Sequence, residues 1–333
     1  MSFRVLTNSL EEDPFVLIES LDKKSAFLFD CGLKVRGNYR RLRKLKAIFV
    51  THSHIDHLIG FDHILRSMLS ETTVLDMYGP KNFIRKMVGR MSSYDWDRAH
   101  EQNLTLQINE ITPTHIETVK MSSATHFEAG APARASVHQV INYDNEYFIQ
   151  WCHLDHGGSC CLGYSIKTRD RWRVNKDKFQ CAGLNEGPWV GKALKSLEAG
   201  QLHNACIPDL PAMPIEELEK KIFYFQAGKK IAYITDTRFT ERVSSNVLEI
   251  ADKADLLICE GTFILSDQHL AKQYNHLTAQ EAAMLAQHAG VKQLLLNHPS
   301  RRYHGKFQLL LDEARDIFPD TSMVGYRGER MIL

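Results

Sequence analysis

Four residues of metal-binding type stand close together in His52-Ser53-His54-Ile55-Asp56-His57, directly after the apolar run Leu45-Lys46-Ala47-Ile48-Phe49-Val50. On a tight loop, side chains two apart can converge on one cation, and the adjacent Asp56 and His57 can turn toward a second. A lone histidine is usually structural, but packing alone gives little reason for donors at this density. The nitrogen-rich set favours zinc, with manganese or iron also able to occupy such sites. Two cations held this way neutralise oxygens on a substrate and make water a nucleophile near neutral pH, so the chemistry to expect is hydrolysis. Further histidines, His153 and His156, follow the apolar run Glu146 to Cys152.

The elements that must position these residues are legible from pattern. Ser25 to Asp30 and Leu45 to Val50 are short, β-prone apolar runs that read as buried strands. Phe61, Ile64, Leu65 and Met68 share one helical face, so the histidine cluster sits on a strand-to-helix loop. Residues from about Asn82 to Asn103 read as helical, and those from Glu110 to Ala135 as strands and loops. Glu146 to Cys152 reads as a strand and Gly163 to Ile166 as extended, with a histidine-bearing loop from His153 to Ser159 between them. From Ile231 onward, strand and helix alternate: strands at Ile231–Thr235, Leu256–Cys259 and Gln293–Leu296, helices at Ser245–Ala251, Thr278–Ala289 and Phe307–Ile317. Thr278 with Glu281 three residues on forms a capping box, and Gly290 supplies the stop.

With 333 residues the chain is expected to form a single α/β domain with one insertion or arm at about 175–221, where glycines and prolines accumulate. Forty-one Lys and Arg against 40 Asp and Glu leave a charge of +1, so any site for a polyanion must be local. No apolar run approaches the roughly 18–20 residues of a membrane span, and the first residues lack a signal-peptide pattern, so a cytoplasmic protein is expected. The seven cysteines are irregularly spaced and read as reduced thiols, with Cys152, Cys160 and Cys161 packed rather than ligating.

The stretch Thr51-His52-Ser53-His54-Ile55-Asp56-His57-Leu58-Ile59-Gly60 resembles the metallo-β-lactamase superfamily motif T-H-x-H-x-D-H-x-x-G. That resemblance implies an α/β fold of four layers, an αββα sandwich, and a dinuclear zinc centre. Later segments resemble the ribonuclease Z group of that superfamily, the endonucleases of transfer-RNA 3′ processing. Gly163-Tyr164 resembles the G-Y that follows the middle histidine ligand, which points to His156, with His153 as the alternative. Thr235-Asp236-Thr237-Arg238 resembles G-D-T-R and implies a bridging Asp236; Asn297-His298-Pro299-Ser300-Arg301-Arg302-Tyr303 resembles L-x-H-x-S-x-R-Y and implies that His298 completes the second shell of ligands.

By the same resemblance, one zinc falls to His52, His54 and His156, and the other to Asp56, His57 and His298. Cys259-Glu260-Gly261-Thr262-Phe263 and His276-Leu277-Thr278 resemble the H-E-A-T-F and H-x-T elements, in which the glutamate orients the histidine. Histidine titrates near neutrality and a carboxylate fixes its tautomer, so Glu260 and His276 suit a proton donor to the leaving group, with Asp56 orienting the nucleophile. Gly187-Pro188-Trp189-Val190-Gly191-Lys192 resembles the arm that grips transfer RNA, and the resemblance further implies a homodimer.

The chain departs from the group's pattern in places. Leu6-Thr7-Asn8-Ser9 stands where F-L-G-T is usual, Leu33-Lys34-Val35-Arg36 where E-G-T-Q is usual, and Cys259 and Gly261 replace a histidine and an alanine. Three functions are therefore carried forward: an endonuclease for transfer-RNA precursors, a phosphodiesterase for small substrates such as cyclic nucleotides, and a metal-binding scaffold without activity. The filled set of ligand positions argues against the last.

Overall fold

The computed structural model describes residues 3–22, 24–33, 42–136, 140–200, 220, 222–325 and 330–333. Lys34, Val35 and Arg36, and residues 201–219 and 221 of the expected arm, lie outside the described residues. The chain divides into two compact units, residues 1–167 with 229–333 and residues 168–228.

The first half of the larger unit runs β1 (Phe3–Thr7), β2 (Val16–Ser20), β3 (Ala26–Phe29), β4 (Leu45–Phe49), α1 (Ile55–Leu58), α2 (Phe61–Met68), β5 (Thr73–Gly79), α3 (Phe83–Met91), β6 (Leu104–Ile111), β7 (His115–Ser122), β8 (Ala133–Ser136), β9 (Val140–Tyr143), β10 (Tyr147–His156) and β11 (Ser159–Thr168). The smaller unit follows with β12 (Arg171–Val174), α4 (Lys176–Cys181), α5 (Pro188–Glu198) and β13 (Phe223–Gln226). The chain then returns through β14 (Lys230–Ile234), α6 (Glu241–Ala251), β15 (Leu256–Glu260), α7 (Gln268–Tyr274), α8 (Ala279–His288), β16 (Leu294–Asn297), α9 (Gln308–Arg315), β17 (Thr321–Met323) and β18 (Arg330–Ile332).

Nine strands form one sheet in the order β18-β1-β2-β3-β4-β5-β6-β7-β8, and seven form another in the order β17-β16-β15-β14-β11-β10-β9. One face of the first sheet places Leu28, Ile48 and Met77 against Phe61, Ile64 and Met68 of α2 and Phe83 and Met87 of α3. Its other face places Phe29 and Phe49 against Tyr164 and Tyr233 of the second sheet. The far side of that second sheet is covered by α6 and α8, through residues such as Val247, Ala282 and Leu285. The result is four layers, helix, sheet, sheet and helix. Each fully buried Phe, Leu or Ile in these interfaces contributes on the order of 1.5–3 kcal/mol.

Strands β3 and β4 pair in parallel, as do β14, β15 and β16, so several loops open at the carboxyl ends of these strands. The capping box holds the start of α8: Glu281 N–H donates to Thr278 Oγ1 at 3.2 Å and Thr278 N–H to Glu281 Oε2 at 2.8 Å. In the smaller unit Pro188 opens α5, where its missing N–H costs nothing. Phe179, Trp189, Ala193, Leu197, Ile222 and Phe223 make this unit's own small core.

The structure departs from the sequence reading at three places. The helix expected over 82–103 ends at Met91, because Ser92 and Ser93 turn their hydroxyls back onto Gly89 O and Arg90 O and Trp96 Nε1–H takes Met91 O. The loop expected from His153 to Ser159 is a tight hairpin: β10 continues to His156, and only Gly157 and Gly158 turn, Gly157 with φ of 67°. The seven-residue α7 carries too short a pattern to be read from sequence. Among the described residues no helix is long and apolar enough to cross a membrane.

Candidate metal centre

The loop after β4 is pinned at both ends. Thr51 N–H donates to Asp30 Oδ1 at 2.8 Å, Leu162 N–H donates to Thr51 O, and Cys31 N–H and Gly60 N–H donate to His57 O and Cys31 O. Gly60 is required by close approach, since a Cβ there would stand 2.1 Å from Gly32 O. The loop therefore presents His52, His54, Asp56 and His57 on a fixed backbone. Asp236 follows β14, Glu260 ends β15, His298 follows β16, and His156 ends β10.

These residues converge. Donor atoms of His52, His54, His156 and Asp236 lie within 4.8 Å of one another, as do those of Asp56, His57 and His298. Asp236 faces both groups. Its Oδ2 stands 3.6 Å from His52 Nε2 and 3.9 Å from His156 Nε2, and its Oδ1 stands 3.6 Å from His57 Nε2 and 3.6 Å from His298 Nδ1. Asp56 Oδ2 is 3.5 Å from His57 Nε2 and 3.7 Å from His298 Nε2. These spacings are too long for hydrogen bonds. They are close to the roughly 3.3–3.4 Å that separates two donors on one tetrahedral zinc with bonds of about 2.0–2.1 Å.

Orphaned atoms make the same point independently. His52 Nε2, His57 Nε2 and His298 Nδ1 are buried and have no hydrogen-bond partner. A buried unsatisfied polar atom costs about 1–3 kcal/mol, so three of them at one place need a partner of another kind. The opposite ring nitrogens are engaged where ligands need it: His57 Nδ1–H donates to Asp30 Oδ2 at 2.8 Å, His156 Nδ1–H to Asn275 O at 2.9 Å, and His52 Nδ1 meets Thr51 Oγ1 at 3.2 Å. Each contact fixes a ring and turns its Nε2 lone pair inward. The residues present thus fit a pair of cations.

Charges within the cluster compensate one another: burial favours neutral imidazoles at His57 and His298, yet Asp30 and Asp236 hold the first, and Asp236 the second, above the usual range. Burial pulls the His52 imidazole down to about 2, so it stays neutral with a free lone pair. Burial alone would push Asp236 up, yet the imidazoles of His298 and His57 hold it well below the usual carboxylate range. Burial is likewise outweighed at Asp56, where the facing imidazoles of His298 and His57 keep the carboxyl at about 2. Asp30, Asp236 and His298 have φ of 57°, 43° and 54°, a left-handed conformation that costs non-glycine residues about 1–3 kcal/mol and concentrates at functional sites.

Beside the metal-type residues, His276 Nδ1 bonds Glu260 Oε2 at 2.8 Å. Glu260 is fully buried and also accepts from Thr237 N–H at 2.6 Å and Thr262 Oγ1–H at 2.5 Å. Burial works to lower the His276 imidazole, but Glu260 more than offsets it and sets it at about 9. His276 Nε2 is left free for a substrate, and the residue lines a cleft of about 880 Å³ with His54, Asp56, His156, Asp236 and His298.

The nine residues His52, His54, Asp56, His57, His156, Asp236, Glu260, His276 and His298 therefore meet at one place, and His153 does not. Its backbone carbonyl accepts from Asn246 Nδ2–H at 2.8 Å, and it lines a separate cavity instead. Sequence reasoning missed Asp30, whose carboxylate accepts from Thr51, His57 and Tyr233. The available signal was an acid directly at the end of the apolar run Phe27-Leu28-Phe29. Asn275, whose carbonyl fixes His156, gave no such signal.

Residues 26–164 match the family model described as the beta-lactamase superfamily domain. Ribonuclease Z of Bacillus cereus (strain AH187) is 32% identical over 313 residues, covering 91% of this chain and 87% of the relative. Ribonuclease Z of Bacillus mycoides (strain KBAB4) is 30% identical over the same shares. Among solved structures, the metallo-beta-lactamase fold protein YhfI from Bacillus subtilis aligns with a TM-score of 0.58 at 15% identity over 100% of both chains. Human tRNase Z, short form, aligns with a TM-score of 0.54 at 16% identity over 100% of this chain and 98% of that one. With relatives this similar along most of its length, and with its motifs gathered in one cleft of the metallo-β-lactamase fold, the chain belongs to the ribonuclease Z family.

Proposed function

We propose that this protein is a ribonuclease Z-like endonuclease that processes the 3′ side of transfer-RNA precursors and depends on two zinc ions. The observation that carries the reading is the His276–Glu260 pair, placed so that donor atoms of His276, Asp236 and His298 lie within 4.8 Å of one another. A phosphodiester leaves behind an alkoxide that must be protonated, and a histidine held by a buried carboxylate suits that task. The ribonuclease Z relatives support the substrate.

His52, His54 and His156 would hold one cation, Asp56, His57 and His298 the other, with Asp236 shared between them. Five imidazoles and two carboxylates form a donor set suited to zinc. When bound, the cations supply charge neutralisation at the phosphoryl oxygens and a water nucleophile usable near neutral pH. Asp56, about one third exposed at the cleft, stays ionised and orients the attacking water. Glu260 keeps a proton on His276 Nδ1 and favours the imidazolium, whose Nε2–H is delivered to the departing oxygen. Asp30 holds His57 in the tautomer that ligation needs, without touching substrate. The working form is taken to be a homodimer in the cytoplasm.

A second reading, a phosphodiesterase for small substrates, draws on Glu11, Glu12 and Asp13, which line the cleft and offset the pull of Arg301 and Arg302 on an extended polyanion. The two are separated by assaying the purified protein on a transfer-RNA precursor and on a small phosphodiester, before and after chelation, with metal analysis and light scattering. The endonuclease reading expects metal-dependent release of the 3′ trailer and about two metal ions per chain. Hydrolysis of the small diester with no precursor cleavage establishes the second reading, and full activity after rigorous chelation refutes both.

A further inference from the structure

Tyr274 is a large aromatic residue that the chemistry so far leaves unused. It is 53% exposed and lines the same cleft as His276, two residues further on. Its ring is not loose. It lies nearly parallel to Phe263, at an interplanar angle of 15° and a centroid distance of 6.4 Å, and Phe263 is buried at 5% exposure. Phe263 in turn is anchored by its backbone, which pairs with Leu277 and Ala279, and its ring lies 6.2 Å from that of His276.

The chain after Tyr274 is equally fixed. Asn275 takes a left-handed conformation, φ 60° and ψ 47°, that ends α7, and its carbonyl accepts from His156 Nδ1–H. A flat apolar surface is thereby held beside the proton donor by both a buried ring and a rigid turn. Exposing an aromatic ring forgoes hydrophobic stabilisation, and a single-stranded nucleotide is the ligand class whose flat base recovers it by stacking.

We propose that Tyr274 is the stacking platform for the base of the nucleotide whose oxygen departs from the scissile phosphate, an inference that rests on the endonuclease reading. The side is set by adjacency: His276 serves the leaving oxygen, and Tyr274 stands on the same turn of chain. The platform is sequence-tolerant, because every base has a π face, so it positions the cleaved nucleotide without reading its identity.

The test uses the full-length metal-loaded protein and a precursor RNA carrying a single abasic residue on either side of the scissile bond. Tyr274→Ala is expected to raise KM for the intact RNA by about 5- to 150-fold, the range set by one base–aromatic stack. That penalty should shrink to about twofold or less when the leaving-side nucleotide is abasic. Tyr274→Phe and Tyr274→Trp should restore the intact-RNA value, and Tyr274→Leu should not. Metal content read by elemental analysis should stay constant through the series. Equal losses on intact and abasic RNA, coupling at the other flank only, or a fall in kcat with KM unchanged overturns the proposal and makes Tyr274 a support for the His276 turn. A wild-type protein that cleaves no precursor at all overturns the endonuclease reading instead.

Discussion

Replacing Glu260 by glutamine isolates the proton held on His276 with little change of shape. Glu260 takes three donors on two oxygens: Thr237 N–H, Thr262 Oγ1–H and His276 Nδ1–H. Glutamine keeps one acceptor, enough for Thr237, and turns an NH2 toward the other two. Thr262 can accept from it, because the threonine proton has a second taker in His298 O at 2.8 Å. His276 Nδ1 can accept only by giving up its own proton. In the wild type Glu260 overcomes burial and raises this imidazole from 6.5 to about 9, a preference worth about 3 kcal/mol. Without the carboxylate, burial takes over and the value falls below 6.5, so at a pH of about 7.5 the protonated fraction drops from nearly complete to roughly a tenth or less. With roughly a tenth or less of the acid left protonated, turnover of an unactivated diester at that pH should fall at least about tenfold, bounded by the roughly 10²–10⁴ that general-acid help is worth, with metal content preserved. A general acid must be protonated, so the rate declines as pH rises through its pKa: near 9 in the wild type, and below about 6.5 in the variant. The assay is kcat/KM against pH, on an unactivated diester and on a nitrophenyl diester whose leaving group needs no proton. An alkaline limb that does not move, or equal losses on the two esters, refutes the reasoning.

His156→Ala should strip metal from the purified protein while His153→Ala leaves it in place, read by elemental analysis; the reverse order would falsify the ligand assignment. Changing both exposed lysines of α5, Lys192→Ala with Lys195→Ala, should weaken precursor binding and flatten the slope of log K against log salt by roughly 1.5, from two lost phosphate contacts; an unchanged slope measured by filter binding removes α5 from the RNA contact. Asp255 accepts from Lys229 Nζ, Lys292 Nζ and Lys230 N–H, and although burial opposes ionisation, these partners lower its pKa below 3.8. Its folded-state pKa is depressed, so its stabilisation is present in full above the unfolded value and lost as pH falls through the folded one. Asp255→Asn should therefore cost about 1–2 kcal/mol at neutral pH and progressively less below pH of about 4, and a Tm difference that stays constant with falling pH would exclude the effect.

The site was more legible in the sequence than the architecture around it. His52, His54, Asp56 and His57 announce themselves because four donors share one short loop, whereas Asp236, Glu260, His276 and His298 needed family motifs to single them out. Periodicity located α8 because cap, apolar face and stop coincide, from Thr278 to Gly290. It overran α3, since two serines and Trp96 compete for its last carbonyls in ways that a hydrophobic pattern does not encode. The hairpin at Gly157 was read as a long loop because polar strand residues facing a cleft look like loop residues. Choosing between His153 and His156 depends on strand register, and a shift of one pleat decides which ring faces inward. Asp30 and Asn275 escaped because they act through other residues, and such partners are adjacent only in space.

Strand order also has a consequence during synthesis. His52, His54, Asp56 and His57 all stand on the loop after β4, but His156 arrives only with β10, Asp236 after β14 and His298 after β16, all in the second sheet. A nascent chain shorter than 298 residues lacks one of these donors however well its first sheet has folded. For an enzyme that cuts RNA this ordering has value, because a stalled or truncated product cannot assemble the full centre. The residues of the cluster can therefore be gathered only once β16 has joined the second sheet, so the loop after β4 waits on strands that are made much later.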